Sequence, residues 1–318
     1  MTIHMLVPAN DTARLVDIVP AEITIIIPTY KRPDMVTKSI ASCLAQTGVT
    51  VPYEILVVDN DPAESGRDAV EAMGESAAVP IRYVADPRPG ISHVRNTGIA
   101  ESRARYIAWL DDDEEAEPGW LAAFLKTMAE TGADVVCGPC YPRLPEAAAY
   151  ARRVYTRDAR VPTGTRLWNW SKLNGLFDRQ RCFADNPAPF DLFLGLAGGG
   201  DTLFYRGLIR SGRKIVWSTE ATIWETIPAD RVEPRYVFKR RFHQGQITTL
   251  VRMAVKPAQP AQAALWMAIG AGQVLVYGPL ALALWPFKNE RWLAAMGQTV
   301  GGLGKVLWHP KLHVRLYR

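Results

Sequence analysis

Asp111 to Glu115, in the run Ala108-Trp-Leu-Asp-Asp-Asp-Glu-Glu115, are five consecutive carboxylates directly behind an apolar stretch. Neighbouring carboxylates repel and raise each other's pKa, so the run is costly unless a cation or hydrogen-bond donors neutralise it. Hard divalent cations such as Mg²⁺ or Mn²⁺ take oxygen ligands, and a metal-bound diphosphate would offset the repulsion. A solvated acidic turn is the other reading, since carboxylates are favourable at the N-terminus of the helix that opens after Pro118.

Two flanking segments add chemistry. Upstream, Arg88-Pro-Gly-Ile-Ser-His-Val-Arg-Asn-Thr-Gly98 sets a glycine turn and then Arg95 and Asn96 on the helix leading into the acidic strand. Downstream, Gly198-Gly-Gly-Asp201 puts one carboxylate behind a glycine run. Near neutral pH such a group takes a proton from a hydroxyl within hydrogen-bond reach. Asp201 also suits a helix N-cap, and the two roles are compatible. Farther on, Trp224-Glu225, Arg231 and Lys239-Arg-Arg-Phe-His-Gln-Gly-Gln246 supply guanidinium groups suited to phosphate oxygens, or else a solvated basic helix. Glu225 and His243 join the candidates, with a structural role as the alternative for His243.

The elements that must position these residues alternate along the chain. Glu22 to Pro28, EITIIIP, reads as a strand buried on both faces. A helix over Asp34 to Gln46 and a strand over Tyr53 to Val58 complete a right-handed βαβ unit. Helices over Gly66 to Met73, Gly90 to Arg103 and Trp120 to Thr131 then alternate with strands over Ile81 to Val84, Tyr106 to Leu110 and Asp134 to Gly138. The pattern predicts a doubly wound, mainly parallel α/β sheet, with ligands at the carboxyl ends of its strands. Asp59, Asp111 to Asp113 and Asp201 all fall at such ends. Tyr141 to Asn186 reads as an irregular loop region over the sheet.

The chain has 318 residues, 48% apolar and 22% charged, which excludes a disordered or collagenous protein. Its length suits one large α/β domain with an appendage. The net charge of +5 is partly a tail property: six Lys/Arg face one acid, Glu290, from Lys288 to Arg318. No zinc-finger, RNA-binding or helix-turn-helix pattern accompanies that tail, so anionic lipid rather than nucleic acid is the expected partner. Cys137-Gly-Pro-Cys140 is a lone C-x-x-C without a second ligand pair, and Cys43, Cys137, Cys140 and Cys182 read as free buried thiols of a reducing cytosol.

Residues 1–20 carry no basic start followed by an apolar core, and read as an extension rather than a secretory signal. Ala264 to Phe287 is uncharged over twenty-four residues, long enough to cross a bilayer. Gly270, Gly272, Gly278 and Pro279 interrupt it, and a weakly apolar segment from Trp292 to Trp308 follows. Paired or re-entrant helices with both ends cytoplasmic fit this pattern, with Trp266, Trp285, Trp292 and Trp308 at the interface. The expected division is an extension to residue 20, a catalytic domain over 21–250 and a membrane-associated region over 251–318, on the cytoplasmic face of the inner membrane.

The ordered set IIIPTYKRP, ILVVDN, GISHVRNTG, WLDDDE and GGGDTLFYRGLIRSGRKI resembles glycosyltransferase family 2, the inverting nucleotide-sugar enzymes of GT-A fold, over roughly Glu22 to Gln246. It looks closest to the bacterial exopolysaccharide glucosyltransferases. The resemblance implies that Pro28, Thr29, Tyr30, Arg32 and Asp59 hold the nucleoside. It implies that Asp111, Asp112 and Asp113 are the Asp-x-Asp motif: Asp111 faces the ribose or the metal and Asp113 binds the metal. Arg95 and Asn96 match the pair supporting the diphosphate, which Arg231 and Arg241 would help neutralise. Asp201 matches the catalytic base of the family's Glu-Asp pair, with Gly200 standing where the family has glutamate. The implied cofactor is Mn²⁺ or Mg²⁺, the donor a UDP-hexose, and the acceptor a saccharide or polyprenyl-linked sugar. The alternative is a catalytically silent, membrane-tethered nucleotide-sugar-binding subunit. Nucleotidyl transfer lacks its glycine-lysine phosphate loop here, and hydrolysis lacks the paired carboxylates that flank a glycosidic bond.

Overall fold

The computed structural model describes residues 20–314, so nearly all of the expected N-terminal extension and the basic residues Arg315 and Arg318 lie outside the described residues. The first half of the chain alternates as its pattern predicts. β1 (Ile23–Thr29), α1 (Pro33–Leu44), β2 (Tyr53–Asp59), α2 (Arg67–Gly74), β3 (Ile81–Ala85), α3 (Ile91–Glu101) and β4 (Tyr106–Trp109) follow in order. Every residue of β1 is buried, as a strand covered on both faces requires. It lies between β2 and β4 and parallel to both, with β3 outside β2. Successive β1 side chains alternate between two cores: Ile25 and Ile27 pack beneath α1 and α4 (Trp120–Thr131), while Ile26 joins Trp109 and Phe177 on the other face.

The region from Tyr141 to Asn186 is more ordered than its sequence suggests. After β5 (Glu114–Ala116), β6 (Val135–Cys137) and β7 (Cys140–Arg143), a short α5 (Arg152–Tyr155) leads to β8 (Gly175–Asp178) and α6 (Arg179–Phe183). β8 is fully buried and inserts antiparallel between β4 and β6. Four residues are too few to show a period, and tertiary pairing makes this strand. The remaining elements are α7 (Leu192–Ala197), α8 (Gly200–Arg210), β9 (Ile215–Trp217), β10 (Ile223–Thr226), α9 (Pro234–Ala254), α10 (Pro260–Leu284) and α11 (Glu290–Val306).

The main sheet runs β3-β2-β1-β4-β8-β6-β9, and a small sheet runs β5-β10-β7. The small sheet has a direct consequence for the site. β10 pairs antiparallel with β5 in a register that sets Glu225 opposite Glu114.

The three C-terminal helices pack on one another, and the division expected at residue 250 falls inside α9. α11 meets α9 backbone to backbone: a Cβ at Gly304 would lie 2.0 Å from the Phe242 carbonyl oxygen, so only glycine permits this approach. α10 runs unbroken through Pro279. It is the described helix long and apolar enough to cross a membrane, with mean hydropathy 1.6 over its best window. At 1.5 Å per residue it is about 37 Å long, against a hydrocarbon core of about 30 Å. Its outer face leaves Leu275, Val276 and Leu282 at 76%, 66% and 72% exposure. The tryptophans divide. Trp285 is exposed, whereas Trp266 stacks under Arg252 and Trp308 packs against the cluster that holds Leu194 and Leu250.

Candidate active site

The acidic run forms the turn between β4 and β5, at the carboxyl end of the sheet. Ser39 of α1 fastens it, its hydroxyl 2.9 Å from the Asp112 carbonyl and 2.5 Å from that of Glu114. The Asp111 amide donates to Glu114 Oε2 at 2.8 Å. Cations then surround the acids. Arg32 Nη1 reaches Asp112 Oδ1 at 3.0 Å and Asp113 Oδ2 at 3.2 Å, and Thr29 Oγ1 donates to Asp112 Oδ2 at 3.0 Å. Arg231 stands 3.9 Å from Asp113. Arg95 Nη2 lies 3.5 Å from Asp111 Oδ1. Lys172 Nζ lies 3.5 Å from Asp111 Oδ2 and 3.7 Å from Glu225 Oε2, and it pairs more tightly with Glu114.

Burial and mutual repulsion divide the acids. Burial, with Glu225 and Asp111 close by, pushes Asp113 up to about 7. Burial takes Glu114 to about 8 despite the Lys172 ammonium. Burial acts on Asp111 in the same sense, but Lys172 and Arg95 hold it below the ordinary carboxylate value. Carboxylate oxygens of Asp111, Asp113 and Glu114 converge within 4.8 Å of one another, an all-oxygen set suited to Mg²⁺ or Mn²⁺. A second convergence, Glu114, Cys140 and Glu225, is wholly buried and faces Lys172. All four cysteines are free and buried, as expected.

Asp201 enters from the other side of the cleft. Gly198 and Gly199 have φ of +86° and +92°, and a Cβ at Gly198 would lie 2.6 Å from the His243 ring, so the turn into α8 requires glycine. That turn places Asp201 in the first turn of α8, ion-paired to Arg95 Nη1. The buried Arg95 guanidinium therefore bridges Asp201 and Asp111 with its two terminal nitrogens. Burial raises Asp201 above the ordinary aspartate value, with Arg95 opposing, and the side chain keeps 23% exposure, enough to meet a substrate hydroxyl. At Gly200 a Cβ would meet only Ser92 Oγ, at 3.9 Å, so a Cβ is sterically admitted there.

Several expected residues stand elsewhere or do something else. His243 Nε2 and His313 Nε2 lie 2.7 Å and 2.6 Å from the Ala197 carbonyl oxygen, and burial holds His243 down to about 4. His243 is thus a neutral donor that pins the turn before Asp201. Asn96 spends its amide on the backbone of Phe190, accepting from its N–H at 3.1 Å and donating to its carbonyl at 3.0 Å. Its role is to tie α3 to the segment before α7. Asp59 is fully buried and accepts from Asp61 N, Gly66 N and Tyr83 OH at 2.8, 3.1 and 2.8 Å, so it organises the turn after β2. Pro28 and Thr29 are buried, and Tyr30 is exposed beside them at 43%. Arg241 does not join the acids: it lies against Gly297 of α11, and the charges acting on it are Arg153 and Arg157. In its place Arg240, stacked on Tyr155 at 4.5 Å, acts on Glu225.

Sequence reading missed Lys172. It sits in the nonperiodic segment before β8, where its carbonyl accepts from Tyr205 OH of α8 at 2.9 Å. No motif or periodicity in the sequence marks it. A cavity of about 690 Å³ opens beside Glu22 and Tyr106 at the opposite end of the sheet, away from all these groups.

Comparison with known proteins establishes the family and the fold. Residues 24–184 match the family described as Glycosyl transferase family 2. The chain is 31% identical over 223 residues, 69% of its length and 71% of the relative's, to the succinoglycan biosynthesis protein ExoM of Rhizobium meliloti. Among solved structures it superposes on the mannosyltransferase PcManGT of Pyrobaculum calidifontis, in complex with GDP-Man and Mn²⁺. The TM-score is 0.60 and the identity 17%, over 92% of this chain and 88% of that one. It also superposes on S. aureus TarS 1-349 in complex with UDP-GlcNAc, at TM-score 0.50 and 13% identity over 89% of each chain. The mixed sheet flanked by helices is thus the architecture of solved glycosyltransferases, and the chain is a glycosyltransferase that belongs to glycosyl transferase family 2.

Proposed function

We propose that this enzyme moves a hexose from a nucleoside diphosphate donor, UDP-hexose, to a saccharide or polyprenyl-linked acceptor in bacterial exopolysaccharide synthesis, with inversion at the anomeric carbon. The observation that carries the reading is the Arg95 fork, which joins a lone carboxylate at a helix start to the acidic turn across the cleft. The name of the ExoM relative supports the polysaccharide context, and the UDP-GlcNAc and GDP-Man complexes of the two structures support a nucleotide-sugar donor.

In this scheme Asp201 accepts the proton of the acceptor hydroxyl while that oxygen forms its bond to the anomeric carbon. The bond from that carbon to the diphosphate oxygen breaks on the opposite face, and the nucleoside diphosphate departs with the electron pair. Arg95 keeps the Asp201 carboxylate aimed and ionised. Arg32 and Arg231 hold Asp112 and Asp113 and lie where diphosphate charge develops. Asp111 and Asp113 would hold a Mn²⁺ or Mg²⁺ ion, which would supply Lewis-acid stabilisation to the leaving diphosphate. Tyr30 and Thr29 flank the nucleoside, and α10 rests on the cytoplasmic face of the inner membrane, close to a lipid-linked acceptor.

The test is incubation of purified protein with radiolabelled UDP-sugars and a bacterial lipid extract, with Mn²⁺ or with EDTA. Transfer of label to the lipid phase with Mn²⁺ and its loss in EDTA are expected. Donor binding without transfer from any UDP-sugar would sink the proposal in favour of a silent binding subunit.

A further inference from the structure

The groove enclosed by α9, α10 and α11 has the electrostatics of an anion site. It has a volume of about 230 Å³, space for roughly seven waters at ~30 Å³ each. Arg241, Gln244, Thr248, Trp266, Gln298 and Lys305 line it, so it offers two cations and three neutral hydrogen-bonding side chains. No acid lines it. Among the described residues no carboxylate pairs with Arg241 or with Lys305. Lys305 donates to the neutral Gln273 Oε1 at 2.7 Å.

The two cations also act on each other. Burial lowers the pKa of Arg241, and Arg153 and Arg157 lower it further. Burial lowers Lys305, and Arg241 adds to the effect. Two partly buried like charges without a counter-ion are held together at a cost, which an anion in the groove would remove. The glycines of α11 shape the site: Gly297 and Gly301 leave the Arg241 side unobstructed, and a Cβ at Gly297 would approach Arg241 Nε at 3.9 Å. The groove belongs to the helical layer that carries the exposed apolar face of α10, which puts its two cations beside the surface suited to a lipid bilayer.

We propose that this groove binds a phosphate group, that of a membrane lipid, through Arg241 and Lys305. The fork of Arg241 would take two phosphate oxygens, and Lys305 would act as a point charge beside it. The groove contains none of the acidic residues of the cleft, so its occupancy is measured without any transfer reaction.

The experiment is calorimetric titration of the full chain with dihexanoyl phosphatidic acid below its micelle concentration, with inorganic phosphate, and with dihexanoyl phosphatidylcholine as a neutral-headgroup reference. Two double variants are compared: Arg241→Gln/Lys305→Gln in the groove, and Lys288→Gln/Arg291→Gln, which removes equal charge outside it. Binding of phosphatidic acid that weakens about 10–100-fold in the groove variant and stays near wild type in the outer variant is the expected result. Equally tight binding of inorganic phosphate with the same dependence keeps the phosphate site and makes free phosphate its occupant. Wild-type protein that binds neither anion, or equal losses in the two variants, overturns the proposal. The wild-type arm decides this even if the groove variant does not fold.

Discussion

Replacing Lys172 with methionine removes the cation on which the inner acids converge and leaves the shape of the side chain largely intact. Its nitrogen lies 3.5 Å from Asp111 and 3.7 Å from Glu225, and it contacts Glu114 more closely still. At an effective dielectric of about 20, each of these two separations corresponds to roughly 4–5 kcal/mol of attraction. Desolvation of the ammonium offsets several kcal/mol of that sum, so the net loss on breaking such a buried cluster is about 3–5 kcal/mol. At roughly 2–4 °C per kcal/mol for a large domain, the melting temperature should fall by about 6–20 °C at pH 8 without divalent metal. At pH 5 the fall should be smaller, because Glu114, which titrates near 8, is then protonated and no longer needs the cation. Mn²⁺ should restore much of the loss, since Glu114 and Glu225 become free to share a metal. Differential scanning calorimetry of both proteins, with and without Mn²⁺ at the two pH values, reads all of this. A variant that melts with wild type, or one that Mn²⁺ leaves unchanged, would refute the assignment of Lys172 as the internal counter-ion.

The same acids set a pH dependence in the wild-type protein. Asp113 and Glu114 titrate near 7 and near 8, above their ordinary values of 3.8 and 4.5. The stability they contribute is fully present below about pH 4 and is lost as pH rises through 7 to 8, at up to about 1.4 kcal/mol per pH unit for each group. Asp86 runs the opposite way but is held down to about 2 by Arg88, so it titrates outside this window. His243, held down to about 4 from 6.5, also runs the opposite way and returns only about 1.4 kcal/mol between pH 5.5 and 8, less than the two acids lose. Metal-free protein should therefore melt lower at pH 8 than at pH 5.5 and Mn²⁺ should narrow the gap, whereas a stability that rises over that interval would contradict the assignment. Gly304→Ala places a methyl group 2.0 Å from the Phe242 carbonyl and should loosen α11 from α9 by about 1–3 kcal/mol, seen as faster amide exchange confined to α9, α10 and α11. Unchanged exchange there would mean that the helices do not rely on that approach.

Where a signal was periodic, the fold was legible. β1 is a run of β-branched residues buried on both faces, and the helices α1, α3 and α4 lie within a few residues of their predicted spans. β8 was not legible, because a four-residue strand between two others is made by its neighbours. The acidic turn and Asp201 were visible as charge beside apolar or glycine runs. Their partners are less so: the resemblance assigns Arg95 to the diphosphate, and its ion pairs to Asp111 and Asp201 come only with the fold, while Lys172 is brought in from the nonperiodic segment before β8 by long-range packing. Arg241 shows the limit from the other side. Arg240 and Arg241 are equivalent as sequence, and helix rotation alone turns one toward Tyr155 and Glu225 and the other toward α11. Asn96 is a candidate through the resemblance and His243 through its residue type, with a structural role as its alternative; the hydrogen bonds of both go to backbone groups that hold the cleft in shape.

The central claim is that Asp201 takes the acceptor proton while the acidic turn holds the donor. It is tested most directly by single-turnover transfer from the identified UDP-sugar with wild-type protein and with Asp201→Asn, alongside calorimetric donor binding in Mn²⁺. The variant should bind the donor as wild type does and transfer it about 10²–10⁴-fold more slowly. Transfer by Asp201→Asn at the wild-type rate, with donor binding intact, would contradict the claim.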